Sequence, residues 1–258
     1  MRKEIMIIGI LLFCLYLFDQ SRRVRTEFVT IEAEGIHTPV RILQLTDFHS
    51  NSWINTTRLA EEIQLLDPDL IVMTGDMAEE NLKPVEKLFS DLKTLEKDIF
   101  VVLGNHDERM PIRTKYEQLI RETGATFLDN EAVIWEKGDQ RINVIGLAHS
   151  NLDSKQAYQQ ADPKAYNLIL VHSPTNMLRH LDGREDLILC GHTHGGQVRL
   201  PLIGAVLVPG QPLFNPPMDR GVFQLTDRTT LYVDSGIGNT LLPLRTLNRV
   251  QMSLLTIQ

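Results

Sequence analysis

The chain has 258 residues, with 26 Lys and Arg against 33 Asp and Glu (formal net charge −7), 43% hydrophobic residues and two cysteines. This composition excludes a disordered, collagenous or disulfide-built protein. The acidic balance also argues against non-specific nucleic-acid binding, which depends on basic patches, so no nucleic-acid partner is expected.

The first element in the chain is an apolar run, Ile5–Phe18, preceded by Arg2 and Lys3 and followed by Asp19, Arg22, Arg23 and Arg25. Its 14 residues fall short of the roughly 20 that cross a bilayer as a straight helix. Basic side chains at both ends can snorkel and lengthen the effective span. No small residues mark a cleavage site, and Phe13 before Cys14 does not suit a lipoprotein acceptor. Residues 1–25 are therefore read as an uncleaved, single-pass anchor in the cell membrane, and residues 26–258 as one catalytic domain. The basic groups divide almost evenly about the run, so they do not set its orientation. Residues 1–25 hold five basic and two acidic side chains (+3), which leaves −10 on the rest.

Beyond the anchor, short aliphatic runs bounded by turn residues predict buried strands at Val40–Leu45, Leu70–Met73, Ile99–Leu103, Ile142–Leu147, Leu168–Val171, Leu187–Cys190 and Leu231–Val233. Helices are predicted between the early ones. Leu59, Ile63 and Leu66 repeat at helical spacing behind an Asn55 cap. Val85, Leu88, Phe89, Leu92 and Leu95 mark a second helix. Tyr116, Leu119 and Ile120 mark a third, ending near Gly124. Strand–helix alternation of this kind predicts an α/β fold with interior strands.

Five of these strands run directly into Asp, Asn or His. Leu45 leads to Asp47 and His49, Met73 to Asp76, Leu103 to Asn105 and His106, Val171 to His172, and Cys190 to His192 and His194. Ligands of open α/β sheets bind at the carboxyl ends of strands. Mixed imidazole and oxygen donors suit Mn, Fe, Zn or Co better than Ca or Mg. Seven donors are too many for one tetrahedral ion with an open position but suit two divalent ions sharing a carboxylate. Asp-x-His and His-x-His place alternate side chains on one side of an extended chain, so each motif can offer two donors together.

In order, D-x-H, G-D, G-N-H-D, a lone strand-end His and G-H-T-H resemble the calcineurin-like metallophosphoesterase superfamily from Asp47 to His194. His192–Gln197 (HTHGGQ) and Ser235–Gly238 (SGIG) resemble its bacterial, membrane-associated or exported branch, which includes a lipid-A-pathway pyrophosphohydrolase. The resemblance implies a four-layer α/β/β/α sandwich. It implies a first metal on Asp47, His49, Asp76 and His194, and a second on Asp76, Asn105, His172 and His192, with Asp76 bridging. It implies that His106 is catalytic, donating to the phosphate or the leaving oxygen. Ser235 stands where the branch often has an Arg, and no substrate-contacting residue is assigned. The chemistry expected is hydrolysis of a phosphodiester, phosphomonoester or pyrophosphate, with a lipid-linked or envelope substrate favoured by the anchor. A water bridging two cations ionises near neutral pH and can attack phosphorus in line. The orienting partner of His106 is open between Asp107 and Glu79.

The remaining candidates have plainer readings. His37, His149 and His180 are read as structural, with His149 also able to line the cleft. Cys190 is read as a small buried hydrophobe. Trp53 is equally a cleft wall or packing. Arg199 and Arg245 are read as solvated surface, and Leu200–Val208 as core or a cleft-lining loop. The alternative functions are a nucleotide phosphodiesterase and an inactive binding scaffold of the same fold. A metallo-β-lactamase-type site is excluded, because His194 is followed by glycines and not by an Asp-His pair.

Overall fold

In a computed structural model of the chain, which describes residues 2–206, 208, 211–214, 216–239 and 245–258, every aliphatic run named above forms a strand. The first half comprises helix α1 (Arg2–Arg22), strands β1 (Arg25–Ile31) and β2 (Val40–Leu45), helix α2 (Thr56–Leu66), strand β3 (Leu70–Thr74), helix α3 (Lys83–Lys93), strand β4 (Asp98–Val102), helices α4 (Asn105–Arg109) and α5 (Arg113–Glu122), and strand β5 (Thr126–Phe127). The second comprises β6 (Glu131–Lys137), β7 (Gln140–Gly146), α6 (Ser154–Tyr158), β8 (Tyr166–Leu170), α7 (Pro174–Met177), β9 (Leu187–Cys190), β10 (Arg199–Leu200), β11 (Gly204–Ala205), β12 (Gly221–Gln224), β13 (Thr230–Val233) and β14 (Gln251–Ile257).

Twelve strands form two six-stranded sheets, ordered β1-β14-β2-β3-β4-β5 and β12-β13-β9-β8-β7-β6, and β10 pairs antiparallel with β11. Strands β2 to β5 are mutually parallel, as are β7, β8, β9 and β13. Alternating residues of each interior strand face opposite layers, and both layers are apolar. Ile42, Val72, Phe100 and Leu255 pack between the sheets against Leu168, Leu170 and Leu189. Leu43, Leu45, Ile71 and Met73 face outward onto Leu59 and Ile63 of α2 and Val85, Leu88 and Phe89 of α3. On the far side Ile145, Ile169, Ile188 and Leu231 meet Ala157, Tyr158 and Met177. The layers run α/β/β/α, as expected. Asn55 caps α2 by accepting from Arg58 N.

The apolar run at the start lies within the 21-residue helix α1. Its segment Lys3–Arg22 is long and apolar enough to cross a membrane. The end of this helix packs on the domain. Tyr16 Oη accepts from Leu247 N (2.8 Å), Gln20 O from Val250 N (3.0 Å), and the Phe18 and Trp53 rings lie 5.5 Å apart. Trp53 thus packs against the helix. Strand β1 is parallel to β14, and β14 is antiparallel to β2. The chain therefore passes from α1 into β1 at the edge where β2, β3 and β4 end.

Leu168 is fully buried between the sheets. Leu168→Ala is expected to lower stability by about 2–5 kcal/mol, because a lost side chain there leaves a cavity that rigid sheets cannot close. Urea unfolding in mild detergent would show a lower midpoint at unchanged slope. A loss below about 1 kcal/mol would mean that the interface repacks.

Candidate metal centre

The loops after β2, β3 and β4 come from one sheet and those after β8 and β9 from the other, so the site spans both carboxyl edges. Two of these loops are zipped together. Asp47 N donates to Gly75 O (2.9 Å), His49 N to Asp76 O (3.0 Å) and Ser50 N to Met77 O (3.1 Å). Across the sheets, His192 N donates to both Asp47 carboxylate oxygens (3.0 and 3.1 Å). Five candidate donors sit on left-handed backbone: Asp47 (φ 52°), His49 (47°), Asp76 (51°), His192 (72°) and His194 (49°). Such backbone costs about 1–3 kcal/mol per residue and gathers where function fixes a side-chain direction.

The donor atoms converge in two groups joined by a third, in which His49, Asp76 and His106 bring ligand atoms within 4.8 Å of one another. In the first, Asp47, His49 and His194 bring ligand atoms within 4.8 Å of one another. His194 Nε2 lies 3.4 Å from Asp47 Oδ1 and 3.3 Å from His49 Nε2. In the second, Asp76, His172 and His192 do the same, with His172 Nε2 3.1 Å from Asp76 Oδ2 and 3.0 Å from His192 Nδ1. Asp76 Oδ2 also lies 3.9 Å from His49 Nε2, so one carboxylate oxygen faces both groups. The tautomers suit this arrangement. His172 Nδ1 donates to Thr74 O (2.9 Å) and His49 Nδ1 to Glu79 (2.8 Å), which turns each Nε2 inward.

The buried groups shift one another strongly. Burial raises the Asp47 carboxyl above its ordinary range. Burial works the same way on Asp76, but the His172 imidazole, helped by His49 and His106, outweighs it and holds that carboxyl well below the usual range. Burial alone would lower His172, and the charge of Asp76 beside it raises it to about 9. Burial and the neighbouring His172 push His192 down to about 3. Asn105 Oδ1 is buried with no hydrogen-bond partner, an orphaned acceptor of the kind a cation would satisfy. Buried carboxylates, inward imidazole lone pairs and an unpartnered amide oxygen together fit divalent cations.

His106 is half exposed at the rim, where Glu79 Oε1 lies 3.2 Å from its Nδ1. Glu79 is therefore its partner and is shared with His49. These two hydrogen bonds lower Glu79 to about 2, and Glu79 in turn raises His106. Asp107 points elsewhere. It accepts from the backbone N of Gly104, Ala78 and Met77 (3.0, 3.0 and 3.3 Å) and clamps two ligand loops.

Several expectations change. Arg245 is fully buried and is not surface. Its guanidinium donates to Ser235 O (2.7 Å) and Gly238 O and lies 3.3 Å from His194 Nδ1. It thus reaches the glycine loop where Ser235 replaced the expected Arg, although nothing in its local sequence signals this. Arg199 is also paired, donating to Gly195 O (3.0 Å) and forming an ion pair with Asp219. His149 is no remote structural residue. Its ring lies 5.7 Å from that of His172 and 6.2 Å from that of His192, and its Nδ1 is buried without a partner. Asn248 had no signal at all, yet its Nδ2 donates to His194 O (2.6 Å). In the Leu200–Val208 stretch, Leu200, Leu202 and Ile203 are exposed while Ala205 and Val208 are buried, so its tip is neither core nor cleft lining. Leu207 lies outside the described residues. His37 is exposed, while His180 is exposed and Cys190 is a buried strand residue, both as expected.

The family model for calcineurin-like phosphoesterases matches residues 40–196. The chain is 28% identical over 229 residues to the uncharacterized metallophosphoesterase YkuE of Bacillus subtilis, covering 84% of this chain and 79% of that protein. It is 30% identical over 181 residues to the phosphodiesterase YaeI of Escherichia coli, covering 66% of each. It is 24% identical over 259 residues to the UDP-2,3-diacylglucosamine pyrophosphatase LpxG of Chlamydia trachomatis, covering 77% of this chain and 78% of that protein. Among solved structures, TT1561 of Thermus thermophilus shares the fold, with a TM-score of 0.53 at 10% identity over 78% of this chain and 91% of that one.

A Cβ on Gly104 would lie 2.1 Å from Asp76 Oδ1. Gly104→Ala should therefore displace the shared carboxylate. Manganese retained after loading and desalting, measured by plasma mass spectrometry, is expected to fall from two ions per chain to one or none while circular dichroism is unchanged. Full retention would contradict a central role for Asp76.

Proposed function

Because the chain belongs to the calcineurin-like phosphoesterase family and is a phosphoric ester hydrolase, we propose that it hydrolyses phosphodiester, phosphomonoester or pyrophosphate bonds with two divalent metals. Asp47, His49, Asp76 and His194 would hold the first cation, and Asp76, Asn105, His172 and His192 the second. The reading is supported above all by Asp76, whose Oδ2 faces His172 Nε2 at 3.1 Å and His49 Nε2 at 3.9 Å. One carboxylate shared by two imidazole groups is the arrangement two ions need and one ion does not. When bound, such a pair supplies Lewis acidity, charge to receive a phosphate and a water of lowered pKa.

The chain's own groups carry the remaining tasks. Glu79 holds Nδ1 of both His49 and His106, which fixes one imidazole as a ligand and the other as a rim group. The same carboxylate favours protonated His106. With its Nδ1–H on Glu79, His106 can deliver a proton from Nε2 to the leaving oxygen. Asp107 holds the Gly104 and Ala78 amides and so keeps Asn105 and Asp76 in place.

We further read Lys3–Arg22 as a membrane anchor and the substrate as lipid-linked or an envelope phosphate. The length and apolar character of α1 support the first point. The chain's likeness to a UDP-2,3-diacylglucosamine pyrophosphatase supports the second.

Purified full-length protein with Mn²⁺ is expected to cleave bis-p-nitrophenyl phosphate. No turnover with Mn, Fe, Zn or Co, beside a working control enzyme, would sink the proposal. His192→Ala removes a second-site donor and should lower turnover at least about 10³-fold, comparable to loss of an essential electrostatic group. Its thermal unfolding should stay cooperative. His106→Ala should lower kcat by about 10²–10⁴-fold, as for loss of a general acid, with bound manganese unchanged. An equal fall in metal content would make His106 a ligand and not an acid.

A further inference from the structure

The free part of α1 is too short to cross a bilayer. Lys3–Leu15 is exposed throughout, and 13 residues of helix rise about 20 Å. The hydrocarbon layer is about 30 Å thick. Snorkelling basic ends narrow the shortfall and leave Tyr16–Arg22, the turns on which the domain already packs, at the lipid interface. Whatever binds those turns is drawn to the depth of the lipid interface.

The bound elements are known. Leu247 N donates to Tyr16 Oη, and Tyr16 lies six residues up the helix from Arg22, about 9 Å toward the membrane. Thr246 next to it bridges to the β10–β11 hairpin, with Arg199 N donating to Thr246 O (3.0 Å) and Thr246 N to Gln197 O (3.2 Å). The hairpin and its return carry large apolar side chains in the open: Leu202 is 108% exposed, Leu213 63%, Phe214 57% and Ile203 45%. Leu247 itself is 53% exposed. Exposed apolar side chains on elements linked through Thr246 and Leu247 to an apolar helix match a lipid layer. Arg22 and Arg23 are exposed at the helix base, where anionic headgroups would meet them.

We propose that the β10–β11 hairpin and the Leu247 loop insert into the lipid layer beside α1. The chain then meets a phospholipid bilayer at two points and holds its metal-ligand edge against the headgroups. This rests on reading α1 as membrane-spanning. It makes the preferred substrate a phosphate carried by a membrane-resident lipid. Asn248, which holds His194 O, is the residue next to Leu247, so the inserted loop and the ligand loop are one unit.

Leu202→Cys in a Cys14→Ser background offers one accessible thiol, because Cys190 is buried. Full-length protein labelled there with nitrobenzoxadiazole would be reconstituted into vesicles of phosphatidylcholine with phosphatidylglycerol. Emission is expected to rise on the order of threefold, as for a probe moved from water to the acyl boundary, and to be quenched by lipids carrying a doxyl group near the headgroup. The same label at Leu65, 87% exposed near the opposite sheet edge, should do neither. The readout needs no metal and no turnover, so it fails independently of the hydrolase reading. Protein that does not float with vesicles would overturn the spanning helix and this inference with it. Flotation with a water-exposed probe at position 202 would overturn the inference alone. A brighter probe that doxyl lipid cannot quench would mean that a second copy covers the hairpin, and would overturn it too.

Discussion

Two carboxylates with almost no access to water, Asp47 and Asp76, set the terms for everything around them. A buried charge without a counter-charge is costly. Among the described residues, imidazoles alone lie within ion-pair distance of either carboxylate. Arg245, the buried guanidinium nearby, donates to the carbonyls of Ser235 and Gly238 and lies beside His194 Nδ1. The loops hold left-handed backbone to keep the carboxylates there. They keep it only because Asp107, the Gly75–Asp47 zipper and the His192–Asp47 bonds over-determine their path. The two sheets supply the rigidity, since their inner faces are fully packed and cannot yield without opening a cavity. Cations at the junction would remove the electrostatic cost that this scaffold otherwise carries.

Much of the site was legible because each donor directly follows a run that can only be an interior strand. Val40–Leu45 must be buried on both faces, so Asp47 and His49 must stand at its tip. The same holds for Asp76, His172, His192 and His194. Strands that do not read as aliphatic runs were invisible. β1 and β6 lie at sheet edges and mix exposed with buried positions, as an edge facing water does. β14 lies inside its sheet but carries Gln251 and Ser253, and Ser253 is satisfied by Tyr232 Oη at 2.7 Å. A polar residue satisfied inside a sheet looks like a surface residue in sequence. Arg245 escapes a sequence reading for the same reason, since its partners are backbone carbonyls that no side-chain pattern reveals. His149 was ambiguous because its neighbours, His172 and His192, come from different strands.

The domain is acidic, with −10 left after residues 1–25 are set aside, yet its family acts on anions. Local charge resolves the conflict. Far from the site, screening over a Debye length of about 8 Å keeps the acidic surface from governing a phosphate in the cleft. At the sheet edge, two divalent ions would outweigh Asp47 and Asp76.

Strand direction decides where that edge lies relative to α1. β1 runs parallel to β14, and β14 opposes β2, so the strand that follows α1 begins where the ligand-bearing strands end. Were β1 reversed, the helix would enter at the amino edge, and the donors would stand a strand's length away, about 20 Å. Were α1 to anchor the chain in a membrane, no lid or linker would be needed to bring membrane-borne phosphate to the site. The pairing of one edge strand, with Asn51 and Asn239 both donating to Ser21 O at 3.4 Å, ties the base of the helix to the loops beside the metal ligands. The same topology that gathers the donors therefore also aims them.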